Sequence, residues 1–146
     1  MTAALSGEEI AHRIADKFPD SVIIADEMSV VIHSRSLYQV AEFLKNTPGL
    51  DFDYLTNLAA VDYLDYFEVV YHLVSLKHNH SLVLKTRCYD RDKPVVPSVV
   101  SLWRAADFQE REAYDLMGIV FQGHPNLKRL LLWEGFVGHP LRRDYL

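Results

Sequence analysis

The chain has 146 residues, 49% of them hydrophobic and 24% charged, with 15 Lys and Arg against 20 Asp and Glu for a net charge of −5. That is the composition of one globular domain with its own core, and it excludes disorder, collagen and a disulfide-stapled miniprotein. The acidic balance lacks the basic surplus of a nucleic-acid binder, and the single cysteine, Cys88, excludes an intramolecular disulfide or a cysteine-only metal or iron–sulfur site within the chain.

No stretch approaches the roughly 18–20 uncharged apolar residues that cross a bilayer. The best runs, 94–103 and 130–133, are too short. Residues 1–18 carry Glu8, Glu9 and Asp16 and lack the basic start and apolar middle of a signal peptide. The expectation is a soluble chain without a membrane span, able to sit against a membrane complex as a peripheral component.

In chain order, Ser6 with Glu9 reads as a capping box, and Ile10, Ile14 and Phe18 follow at helical spacing until Pro19. Residues 22–25 and 29–32 are β-branched runs around a polar Asp26-Glu27, and predict two strands. Ser36 with Gln39 makes a second capping box, and Leu37, Val40, Ala41 and Leu44 form one stripe that ends at Pro48-Gly49.

Three further strands are expected at 52–61, 67–76 and 81–89. The last alternates Leu82, Leu84, Thr86 and Cys88 on one face with Val83, Lys85, Arg87 and Tyr89 on the other. Residues 77–80 form a hairpin connection, and 90–97 a charged, proline-bearing loop. Asp107 as N-cap, with Glu110 three residues on, opens a last helix that turns Ala113, Leu116 and Met117 inward and stops at Gly118. From Gln122 onward periodicity fades into glycines, prolines and paired basic residues.

The expected fold is therefore α+β, a single domain with helices packed on a mostly antiparallel or mixed sheet of four to five strands. Residues 1–121 form the domain, and 122–146 an extended docking segment lying on the domain or on a neighbour.

The six glycines form no phosphate-cradling turn, so a self-contained nicotinamide, flavin or nucleotide site is not expected, and there is no G-x-S-x-G nucleophile elbow. Seven histidines leave one metal reading open, with His78 and His80 in a hairpin loop and His72, His124 or His139 added by folding. No H-E-x-x-H completes it, and solvated or hydrogen-bonding histidines are the simpler reading. Cys88 reads as a small buried hydrophobe.

Two patterns stand out. In Glu110-Arg111-Glu112 with Asp115, Arg111 faces both Asp107 and Asp115 at four-residue spacing and can pair with either. Such pairs on a solvated face contribute only tenths of a kcal/mol. Glu110 and Glu112 point about 200° apart, so they do not converge as an acid–base pair. The second pattern is a near-duplication: Phe121 to Pro125 reads F-Q-G-H-P and Phe136 to Pro140 reads F-V-G-H-P, each followed by a leucine and basic residues. Proline holds each histidine extended. Proline-fixed segments with exposed arginines suit docking, because little entropy is lost on binding and arginine forks match carboxylates.

The stretch from Asp107 to Tyr145, D-F-Q-E-R-E-A-Y-D-L-M-G-I-V-F-Q-G-H-P-N-L-K-R-L-L-L-W-E-G-F-V-G-H-P-L-R-R-D-Y, strongly resembles the C subunit of NADH-quinone oxidoreductase, the 30 kDa subunit family of respiratory complex I. Ala60-Val61-Asp62-Tyr63, Val70-Tyr71-His72-Leu73 and Val96-Pro97-Ser98-Val99 also look like that family. The resemblance covers residues 52–146 well, and 7–49 by pattern of elements only. Phe108 stands where many relatives have tryptophan, and the chain stops at Leu146 where many members continue, so part of the usual interface is expected to be missing.

The resemblance implies a non-catalytic structural subunit in the peripheral arm of a proton-translocating complex. It would sit on the cytoplasmic side of a bacterial membrane, bracing the large D subunit beside the quinone site and the nearby iron–sulfur subunits. No cofactor is implied in this chain; NADH, flavin, iron–sulfur clusters and quinone belong to other subunits. Carried onto this sequence, the interface residues are Glu110, Arg111, Glu112, Asp115, His124, Pro125, Arg129, His139, Pro140, Leu141, Arg142, Arg143 and Asp144. Two alternatives stay open: the equivalent subunit of an energy-converting membrane-bound hydrogenase, and a small histidine-dependent metalloenzyme.

Overall fold

The structure, a computed structural model, describes residues 3–127 and 138–143. Helix α1 (Gly7–Lys17) begins where the sequence predicts, with Ser6 Oγ accepting from the Glu9 N–H. Strand β1 (Ala3–Ala4) precedes it. Strands β2 (Val22–Ala25) and β3 (Ser29–His33) form a hairpin, its turn closed by Asp26, whose Oδ1 accepts from the N–H groups of Met28 and Ser29.

Helix α2 (Leu37–Asn46) buries the expected stripe of Leu37, Val40, Ala41 and Leu44. Its start corrects the sequence reading. Ser36 makes no side-chain cap, because a 3-10 turn at Ser34–Ser36 runs straight into the helix and already gives the Leu37 N–H the Ser34 carbonyl.

Strands β4 (Tyr54–Asp62), β5 (Phe67–Ser75) and β6 (His80–Cys88) form an antiparallel meander. The sheet order is β2-β3-β6-β5-β4, with β1 also joining β6. The β3–β6 pairing is parallel, so the sheet is mixed. The alternation in β6 holds: Leu82, Leu84, Thr86 and Cys88 are buried, and their neighbours half-exposed. Facing them from β5 are Phe67, Val69, Tyr71 and Leu73, and α1 and α2 add Ile10, Ile14, Leu37, Val40 and Leu44 to the same core. One face of the sheet carries the core and the other is half-wet, as antiparallel sheets allow. The fold is α+β, as expected.

The 90–97 loop contains a short strand with no signal in the sequence, β7 (Val95–Pro97). Helix α3 (Ala106–Met117) follows. Then comes β8 (Val120–Gln122), parallel to β7. The 122–146 segment therefore opens on the last residue of a strand. Gly118 ends α3 at φ +80°, the left-handed conformation glycine adopts without steric cost. Among the described residues, no helix is long and apolar enough to cross a membrane.

Candidate interface around the third helix

Asp107 is not the N-cap of α3. The helix begins one residue earlier, because the 99–107 segment already turns: the Trp103 N–H donates to the Val99 carbonyl and the Ala106 N–H to the Trp103 carbonyl. Asp107 instead lies in the first turn, where a negative charge suits the helix dipole. Its Oδ1 is 2.9 Å from Nε2 of His124. The other ring nitrogen, Nδ1, accepts from the Asn126 N–H at 2.9 Å. That bond assigns the proton to Nε2 and aims it at Asp107. Pro125 is exposed.

Glu110 does not close a capping box either. It is fully buried, accepting from Ser98 Oγ at 2.6 Å and from the Val99 N–H at 2.9 Å. Its carboxyl thus ties α3 to the end of β7. Burial pushes its pKa up, against those two hydrogen bonds. The pairing expected of Arg111 with Asp107 and Asp115 is not formed. Asp107 is taken by His124, and Asp115 faces the interior rather than solvent. Arg111 is half-buried, and its Nε has no hydrogen-bond partner. Glu112 is half-exposed beside Ala113 and Leu116 in a cleft of about 210 Å³ between α3 and β4. Gln109 bridges the same two elements, accepting from the Leu58 N–H at 2.6 Å.

Residues 138–143 run across the C-terminal end of α3. That end leaves carbonyls without helical partners, and the segment supplies donors one after another. His139 Nδ1 donates to the Asp115 carbonyl (3.0 Å), the Leu141 N–H to the Leu116 carbonyl (3.0 Å), and Arg142 Nε to the Met117 carbonyl (2.6 Å). A Cβ on Gly118 would lie 2.7 Å from the His139 ring, so the glycine lets the strap close down. Pro140 is half-buried, whereas Leu141 is 55% exposed and Arg143 is exposed. Arg129 and Asp144 lie outside the described residues.

Asp62, at the end of β4, anchors the strap, and no spacing argument singles it out. Its carboxylate accepts from both terminal nitrogens of Arg91 (2.6 and 2.9 Å), from the Arg143 N–H (2.8 Å) and from the Leu64 N–H (2.8 Å). These bonds, with Arg91 the largest, hold its pKa well below the carboxylate range. Arg91 and Arg142 also lie 4.5 and 5.0 Å from the centroid of the Phe67 ring.

The histidines do not converge. His78 pairs with Asp51 at 2.6 Å, and His80 donates to the Leu50 carbonyl. Among the described residues no three His, Cys, Asp or Glu groups are placed to hold a metal ion. Cys88 is buried, which pushes its thiol up to about 11.

Comparison with known proteins agrees with the motifs. The profile of the family described as "Respiratory-chain NADH dehydrogenase, 30 Kd subunit" matches residues 30–146. The C subunit of NADH-quinone oxidoreductase from Roseiflexus sp. (strain RS-1) is 40% identical, over 97% of this chain and 84% of the relative. Its counterpart of the same name in Coxiella burnetii (strain Dugway 5J108-111) is 38% identical, over 94% and 77%. The likeness thus reaches well upstream of residue 52. Among solved structures, a chain of the membrane-bound sulfane sulfur reductase, an archaeal respiratory membrane complex, superposes with a TM-score of 0.74 at 25% identity, over 94% of this chain and 84% of that one. With its signature helix, its closing strap and these relatives in one frame, the chain belongs to the 30 kDa subunit family of respiratory-chain NADH dehydrogenase, the family of the NADH-quinone oxidoreductase C subunits.

Proposed function

We propose that this chain is a non-catalytic structural subunit of the peripheral arm, on the cytoplasmic side of the membrane, bracing the large D subunit beside the quinone site and the neighbouring iron–sulfur subunits. NADH, flavin, clusters and quinone are assigned to other chains. The observation that carries this reading is how the signature residues are used. Glu110 pins α3 to β7, and His139 and Arg142 cap its C-terminus. These groups fix the shape of a surface; they do not converge on a cleft where substrate could react. Leu141, Arg143 and Pro125 keep exposed area for a neighbour.

Arg111→Ala tests it. The helix buries its apolar face without this side chain, so the melting temperature of the isolated chain should fall by no more than a few degrees. An arginine at an interface pairs with carboxylates, and losing one member of such a desolvated pair costs ~2–5 kcal/mol. The assembled complex on a native gel should therefore drop sharply. A large loss of melting temperature with normal assembly would place Arg111 in this domain's own stability. A second reading, the equivalent subunit of another energy-converting membrane complex, is favoured by the likeness to the sulfane sulfur reductase chain. The identities of co-purifying subunits separate the two.

A further inference from the structure

The half-wet face of the sheet ends in a feature the signature motif does not touch. Where β6 runs into the 90–94 loop, a cleft of about 240 Å³ opens beside the turn after β3. Its walls carry three cations, Arg35, Arg87 and Lys93, and one carboxylate, Asp90. Asp90 Oδ1 accepts from the N–H groups of Asp92 and Lys93 at 3.0 and 3.1 Å, which shapes the loop around Lys93. Arg87 is held by Glu68 at 3.1 Å and lies 4.5 Å over the Tyr66 ring. Arg35 donates to the Asp20 carbonyl at 3.2 Å. Neither Arg35 nor Lys93 forms an ion pair among the described residues, and both are exposed. In a chain of net charge −5, the lining of this cleft carries three cations to one carboxylate.

The rim is aromatic. Tyr89 is 57% exposed and lies 5.4 Å from Tyr66, which lies 5.4 Å from Tyr63 at the tip of the β4–β5 hairpin. The backbone of the tip is held by Asp62, which accepts from the Leu64 N–H. Tyrosines beside arginine are the composition of an interface centre, because they bury large area with few rotatable bonds to order.

We propose that this cleft docks an acidic polypeptide segment of another subunit, with carboxylates on Arg35 and Lys93 and an apolar side chain against Tyr89. The partner is a discrete segment rather than a lipid surface. The cations line a concavity of about 240 Å³, which a protruding side chain can enter and a flat bilayer surface cannot. The proposal rests on the chain being one subunit of a complex and not on the bracing role.

The test uses the full chain with a short glutamate–leucine peptide, a lysine–leucine peptide and phosphatidylglycerol vesicles as probes. The glutamate peptide should shift the amide resonances of Arg35, Tyr89 and Lys93 and bind roughly tenfold more weakly to Arg35→Ala/Lys93→Ala, two rim charges each contributing up to about fivefold. Lys77→Ala, beyond the opposite end of β6 from the cleft, should bind as the parent does. Equal binding by the double variant, equal binding of the lysine peptide, or vesicles shifting the same resonances in preference to the peptide would each overturn the proposal. In the complex purified from its membranes, a photo-crosslinking phenylalanine in place of Tyr89 should join a subunit segment with a surplus of Asp and Glu. A cross-link to lipid or to a basic segment would overturn it too. None of these results depends on whether Arg111 braces the assembly, so the two readings fail separately.

Discussion

Replacing Asp62 by asparagine keeps the shape of the side chain and removes its charge. The residue is 5% exposed and accepts four hydrogen bonds, two of them from Arg91. Asparagine has one oxygen to offer where the carboxylate had two, and its NH₂ would face a donor. Hydrogen bonds to a charged group contribute about 1.5–3 kcal/mol each. Arg91 is partly exposed and regains some hydration, which keeps the loss below the sum. The expected cost is about 3 kcal/mol at neutral pH, or a melting temperature lower by roughly 10 °C for a domain of this size. The pH dependence fixes the cause. Asp62 has a depressed folded pKa, so its stabilisation is complete above the unfolded value of about 3.9 and is lost as pH falls below it toward the folded value. Urea titrations of parent and variant from pH 7 down to pH 2.5 should therefore show the gap narrowing only below about pH 4. A gap under about 1 kcal/mol at pH 7, or one that stays constant through acid, would refute the hub role. A double-mutant cycle with Arg91→Ala should return a coupling that declines over the same window.

Three further outcomes follow from local geometry. Gly7→Ala would place a Cβ 2.4 Å from the Asp26 carbonyl oxygen and 2.5 Å from that of Ser29, both backbone, so α1 must shift off the β2–β3 turn; a denaturant midpoint lower by the equivalent of about 2–3 kcal/mol is expected. Gly118→Ala meets positive φ and the His139 ring together, and should raise hydrogen exchange at the Leu141 amide more than at β5. Glu110 has a raised folded pKa, so its contribution is fully present below the unfolded carboxylate pKa and declines as pH rises through the folded one. Glu110→Gln, read by thermal melts between pH 4 and 8, should flatten that decline.

The elements legible in the sequence are those whose information is local. Helix α1 is set by Ser6 and the Ile10, Ile14 spacing, and β6 by strict alternation over nine residues. Strands β7 and β8, of three residues each, carry too few positions for a period, and they exist because each gives the other its hydrogen bonds. The parallel β3–β6 pairing is invisible for the same reason, since the partners lie more than fifty residues apart in the chain. Ser36 misleads because a Ser-x-x-Gln pattern is a cap only if the preceding backbone is extended, whereas here it is already turning.

The site shows the same division more sharply. Read locally, Arg111 between Asp107 and Asp115 is an intrahelical ion-pair ladder, and Glu110 is a capping acid. Surface pairs of that kind contribute tenths of a kcal/mol, so any tertiary partner displaces them. His124 takes Asp107 from 17 residues away, and Ser98 and Val99 take Glu110 across the start of the helix. Asp62 draws on Arg91 and Arg143, 29 and 81 positions downstream. Spacing arguments fail at acids whose burial is decided by distant chain. Around α3 the described signature residues form buried acids and a capping strap that hold one helix in register, and Arg111 Nε is left buried without a hydrogen bond.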